Sequence, residues 1–180
     1  MKRFHRAARI GLVAGALALA TAAPVAAATP QSAVPTPIRV VHTNLTGFVM
    51  PAGTACSFDV AGDPDWGFSA HTYFPDGLVR SSVRAHGAYV NVATGARYPT
   101  ADNFYVVDDV DPVTNIDHVF LSGMAASSFL PGDDGPFGLV TEASFYDFVG
   151  TVRFDYNLNT GQQTNFSYRG TVTDICAALS

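Results

Sequence analysis

Residues 151–172, TVRFDYNLNTGQQTNFSYRGTV, decide the fold class. From Thr151 to Leu158 the apolar residues Val152, Phe154, Tyr156 and Leu158 alternate with Thr151, Arg153, Asp155 and Asn157. From Gln163 to Val172, Phe166, Tyr168 and Val172 are set against Gln163, Asn165, Ser167 and Arg169. Successive side chains of an extended chain point to opposite faces, so a period of two marks strands with one buried and one wet face. Between the two runs, Asn159-Thr160-Gly161 fits a three-residue hairpin loop closed by a glycine in the left-handed region. That loop predicts Leu158 opposite Gln162, Tyr156 opposite Thr164 and Phe154 opposite Phe166. The apolar faces then coincide, as a half-buried hairpin requires.

The same grammar recurs upstream. Pro75-Asp76-Gly77 sits between Ser69–Phe74 and Leu78–Ala85, and Ala93-Thr94-Gly95 would bring Val90 and Val92 beside Tyr98 and Ala96. Further strands are expected at Ile38–Val49, Thr54–Val60, Asn103–Val107, Ile116–Ser122, Ala126–Leu130 and Leu139–Phe148, and no segment carries a helical period with caps. The apolar parity flips around Gly87-Ala88, which predicts a glycine-associated bulge or bend. About eight to ten strands joined by hairpins predict one all-β domain over residues 38–180. Its expected form is an antiparallel up-and-down β-barrel, which has no exposed edges, with a two-sheet β-sandwich as the alternative.

What precedes that domain reads differently. Lys2, Arg3, Arg6 and Arg9 lead into the apolar run Ile10 to Ala20, and Ala26-Ala27-Ala28 offers a small-residue cleavage site. Residues 1–28 are therefore expected to be a secretory signal peptide, and 29–37, with three prolines, a flexible leader. The protein is expected to be secreted and extracellular. Beyond the signal no apolar run is long enough for a membrane span. Of 10 basic residues against 15 acidic ones, four belong to the signal, so residues 29–180 carry six arginines, no lysine and a formal charge of −9. Such a balance is a poor match for a polyphosphate backbone, and nucleic acid is not an expected partner.

Cys56 and Cys176 are the only cysteines. An even count in an exported chain reads as one disulfide, closing a loop of about 120 residues, and the wide spacing lacks the C-x-x-C form of a redox pair. The chain-entropy argument values such a bridge at about 4–5 kcal/mol. Three stretches, PAGTACSFDV at 51–60, FPDG at 74–77 and RGTVTDICAALS at 169–180, together with the signal, resemble a group of small secreted actinobacterial proteins of unknown function. The resemblance implies secretion and the Cys56–Cys176 bridge, and it brings no catalytic residue with it.

His42, His71, His86 and His118 show neither helical metal-site spacing nor a Cys/His cluster. The acidic groups Asp108-Asp109-Val110-Asp111 with Asp117, and Asp133-Asp134-Gly135, lack the spaced ligands of a calcium loop and read as solvated turns. No G-x-S-x-G elbow is present, and Glu142 has no placed carboxylate partner. No cofactor and no metal are expected.

The most informative arrangement is the hairpin around Pro75-Asp76-Gly77. Its loop puts Trp66, Phe68, Ala70 and Phe74 on one face with Leu78, Arg80, Ser82, Arg84 and His86. Turned inward, that face would line a cavity for a small anionic or aromatic ligand; turned outward, it would be a surface patch for a partner. The outward orientation is preferred, because arginines are seldom buried without partners. Trp66, Phe68, Arg80, Arg84 and His86 are accordingly the candidate binding residues. The expected function is a non-enzymatic binding module for a small molecule or a protein partner. The alternative is a secreted hydrolase or isomerase with a site assembled from distant strands.

Overall fold

The computed structural model describes residues 36–43 and 46–180. The expected signal peptide, and the leader up to residue 35, lie outside the described residues. In chain order the elements are β1 (Ile38–Thr43), β2 (Phe48–Met50), β3 (Val60–Tyr73), β4 (Val79–Asn91), β5 (Arg97–Thr100), β6 (Asn103–Asp111), β7 (Ile116–Phe129), β8 (Asp134–Gly135), β9 (Gly138–Leu139), β10 (Ser144–Asn157), β11 (Gln162–Asp174) and α1 (Ile175–Ala178). Nine strands form one antiparallel sheet along the path β1-β3-β4-β6-β7-β10-β11, with β2 added to β3 and β5 to β4; β8 and β9 make a separate two-stranded hairpin. The path has seven strands of alternating direction, so its two edges, β1 and β11, run the same way. Closing the sheet would need a parallel pairing, and among the described residues none joins them.

The nine strands of the main sheet match the expected eight to ten, but several have different bounds. Ile116–Ser122 and Ala126–Leu130 are parts of one strand, β7, carried through Gly123. Ile38–Val49 is split into β1 and β2. Thr54–Val60 is mostly turn, because it carries Cys56 to its bridge, and Leu139–Phe148 holds the end of β9 and joins the main sheet only from Ser144.

The hairpin loops explain a second correction. Pro75-Asp76-Gly77 is a three-residue loop as expected, closed by bonds from Phe74 N to Leu78 O and from Gly77 N to Phe74 O. The loops at 93–95 and 159–161 are one residue longer than expected. In each, an asparagine opens the loop: Asn91 Oδ1 accepts from the N–H groups of Ala93 and Thr94, and Asn157 Oδ1 from those of Asn159 and Thr160. The amides of Gly95 and Gly161 then return to the Asn91 and Asn157 carbonyls. Asp111 to Asn115 is a third copy, with Asp111 Oδ1 accepting from Val113 N and Asn115 taking the positive φ of 55°. An Asx side chain mimics a backbone turn, which fixes where the loop begins.

Near its loop the last hairpin is therefore slipped by one residue, with Tyr156 opposite Gln163 and Asp155 opposite Thr164. A bulge at Asn165-Phe166 restores the predicted register from Arg153↔Ser167 onward. The parity flip at Gly87 is likewise real. The extra residue, Asp65, lies on β3, and a side chain on Gly87 would overlap the Asp63 carbonyl.

Two apolar clusters hold the sheet. The first gathers Val106, Val119, Leu121, Ala125, Phe129, Phe148, Val152 and Phe154 from β6, β7 and β10, with Phe166 and Tyr168 of β11 against it. The second unites Cys56, Val60, Tyr89, Phe145, Ile175 and Leu179. It shows that the sheet curls. β4 and β10 are separated by β6 and β7 in the sheet, yet Tyr89 meets Phe145 edge-on at 4.7 Å between ring centroids. The Cys56–Cys176 disulfide ties this end, with Cα atoms 5.5 Å apart. A glycine row, Gly123↔Gly150↔Gly170, crosses β7, β10 and β11, and all three have φ between 126° and 141°. A side chain at Gly150 would overlap the Arg169 carbonyl, and one at Gly170 the Val149 carbonyl, so the row lets adjacent backbones approach as the sheet bends.

The acidic turn at 133–134 proves to be structural. Asp133 accepts hydrogen bonds from the backbone N–H groups of Leu130 and Gln163, and Asp134 from that of Asn165, so these carboxylates cover part of the free edge of β11. Among the described residues no helix is long and apolar enough to cross a membrane.

Candidate functional site

The five candidate residues lie together on β3 and β4. The register pairs Trp66 with His86, Phe68 with Arg84 and Thr72 with Arg80, so all five share one face of the hairpin. The opposite face carries Ser69, Ser81, Val83 and Ala85, all buried, which turns the candidate face outward. Trp66 is 50% exposed, Arg80, Arg84 and His86 are exposed, and Phe68 is half-buried.

The outer face is not flat at this point. A shallow concavity of ≈ 530 Å³ is lined by Trp66, Phe68, Ser82, Arg84, Asn103, Tyr105 and Ser122. It exists because Arg84 pairs with Asn103 of β6, and Ser82 pairs with Tyr105, which pairs in turn with Ser122 of β7. Of the five candidates, Trp66, Phe68 and Arg84 converge on this groove. Arg80 and His86 stand at its margin: the Arg80 guanidinium rests over the Phe74 ring at 5.1 Å, and His86 lies 6.1 Å from the Trp66 ring between centroids. Asn103 and Tyr105 of β6, with Ser122 of β7, are the members that the sequence alone did not reveal. The alternation of β6 places the first two on one face, but only the order of strands in the sheet brings β6 beside β4.

The groove carries uncompensated positive charge. Among the described residues the ion pairs are Arg97–Asp63 and His118–Asp155, so neither Arg80 nor Arg84 has a carboxylate partner. An exposed guanidinium beside aromatic rings offers a planar fork for a carboxylate, sulfonate or phosphate oxygen pair.

Three other polar assemblies lie away from the groove. On the opposite face of β3 and β4, the His71 ring is held between Ser81 Oγ at 2.9 Å (Nδ1) and Ser69 Oγ at 3.1 Å (Nε2), with the His42 ring 5.7 Å away. Burial, with His42 beside it, lowers the pKa of His71 and favours the neutral ring. Among the described residues its hydrogen bonds go to serines and none to a carboxylate, so the acid that would orient a catalytic histidine is missing.

The second assembly is a pair of carboxyls. Burial raises Asp108 to about 7, with Asp117 adding to the shift, and burial also raises Asp117. The third surrounds a narrow apolar pocket of ≈ 50 Å³, lined among others by Phe48, Tyr89, Asp102 and Phe104. Burial lifts Asp102 to about 6, and nearby Asp147 accepts a 2.9 Å hydrogen bond from the Tyr98 hydroxyl. That space suits a water or two rather than a ligand. Among the described residues no group of three His, Cys, Asp or Glu side chains could hold a metal ion.

No protein-family model, no curated protein and no solved structure matches this chain.

Proposed function

We propose that the chain is an exported, non-enzymatic binding module. In this reading its sheet is an up-and-down β-barrel left open between β1 and β11, and it holds an anionic ligand with an aromatic or similarly flat face on the outer groove of β3, β4 and β6. The observation that carries the reading is the convergence of exposed Trp66 and Tyr105 and half-buried Phe68 on an unpaired Arg84 in one concavity. Ring faces supply contact area, Arg84 supplies the charge, and Ser82, Asn103 and Ser122 supply hydrogen bonds that fix orientation.

Trp66 is the only tryptophan, so its emission reports on the groove directly. Titration with aromatic carboxylates and sulfonates should shift or quench that emission in a saturable way. Arg84→Ala should abolish the response, and Arg97→Ala, at the paired arginine, should leave it intact. A panel that leaves Trp66 unchanged, or an Arg84→Ala protein that responds like the parent, overturns the reading.

A further inference from the structure

The arginines are far apart in sequence, and the strand register gathers them. One cross-strand row runs Arg39, Thr72, Arg80, Val107, Phe120 and Arg153, through β1, β3, β4, β6, β7 and β10. The neighbouring row carries Ser82, Tyr105, Ser122, Thr151 and Arg169. With Arg84, five of the six arginines beyond residue 28 thus share the outer face. The sixth, Arg97, is the one paired with an aspartate. Two of the five are braced on rings, Arg80 over Phe74 and Arg153 over Phe120 at 5.0 Å, which holds their guanidinium groups along the sheet.

From Arg39 to Arg153 the row crosses five inter-strand gaps, about 24 Å measured along the sheet. That is long for a small molecule and suits an extended chain laid across the strands. Between the cations the face presents hydroxyls and rings; its carboxylates Asp109 and Asp155 lie one row further on, where Asp155 is paired with His118. A ligand matching this pattern carries spaced carboxylates, many hydroxyls and flat apolar faces. Building on the binding-module reading, we infer that the outer face binds an acidic polysaccharide of the polyuronate class. Its carboxylates meet Arg80, Arg84 and Arg153, and a sugar ring covers Trp66. A polyphosphate is the poorer fit, because its denser charge would meet a protein with fifteen carboxylates and no lysine beyond residue 28.

Native electrophoresis of the folded, disulfide-bonded protein through gels containing polygalacturonate tests this, with the carboxyl-reduced polymer and oligothymidylate as comparisons. Retardation by polygalacturonate, lost on carboxyl reduction and weakened by salt, is expected. Arg84→Ala and Arg153→Ala should each weaken it about tenfold, the loss of one charge-assisted contact, while Arg97→Ala should not. Arg153 is decisive, since it lies outside the groove and matters only to a ligand that spans the face. No retardation, wild-type retardation of Arg153→Ala, or stronger retardation by oligothymidylate overturns the inference. If aromatic anions still quench Trp66 in an Arg84-dependent way, the binding-module reading survives that failure; if they do not, both fall.

Discussion

One row of residues crosses the whole sheet and changes character halfway. Val40, His71, Ser81, Val106, Leu121, Val152 and Tyr168 are successive cross-strand partners from β1 to β11. On β6, β7 and β10 the row is part of the first apolar cluster, where Phe129 and Phe148 are fully buried. On β3 and β4 the same row is a histidine clasped by serines, with Ser69 and Ser81 buried beneath it. The first half is stabilised by area removed from water, at about 1.5–3 kcal/mol for each large side chain. The second is specified by hydrogen bonds worth about 1 kcal/mol each net. The groove lies chiefly on the back of the hydrogen-bonded half.

This contrast can be broken or sharpened by substitution. The largest effect is expected at the glycine row of β7, β10 and β11: Gly150→Val places side-chain atoms against the Arg169 carbonyl at a φ of 141°, and should leave little folded protein by circular dichroism. Next, Phe148→Ala in the apolar half should cost about 3–5 kcal/mol in urea unfolding, and Ser81→Ala in the hydrogen-bonded half about 1–3 kcal/mol. Equal costs would erase the distinction.

The smallest effect concerns pH. Asp108 and Asp102 keep their protons up to about pH 7 and 6 when folded, because burial penalises their charged forms, against 3.8 for an ordinary aspartate. The folded state therefore binds more protons than the unfolded state between these values. The stability these groups contribute is complete below about pH 4 and lost as pH rises towards 7. His71, with its lowered pKa, pulls the other way below 6.5. Asp108→Asn should therefore raise Tm at pH 7.5 by several degrees and change it little at pH 4.5. A variant that melts lower at pH 7.5 contradicts the assignment.

The alternation of β10 and β11, the Pro75-Asp76-Gly77 loop and the bend at Gly87 were legible in the chain because each is a local rule of backbone geometry. The loops at Asn91 and Asn157 were misplaced by one residue, since the side-chain bond that opens them competes with the glycine that closes them. Trp66, Phe68 and Arg84 could be set on one face from a single hairpin. Tyr105, Asn103 and the gathering of Arg39, Arg153 and Arg169 could not, because those neighbours depend on the order of strands in a sheet, which periodicity does not encode.

The central claim is that binding occurs on the outer face of β3, β4 and β6. Its most direct test is a map of backbone and indole ¹H–¹⁵N shifts during titration with a galacturonate oligomer. The account predicts the largest changes at the Trp66 indole and at the amides around Phe68, Arg84, Asn103 and Tyr105, with Phe129 and Phe148 unmoved. Changes centred instead on Phe48, Tyr89 and Asp102, or on His71 and Ser81, would contradict it.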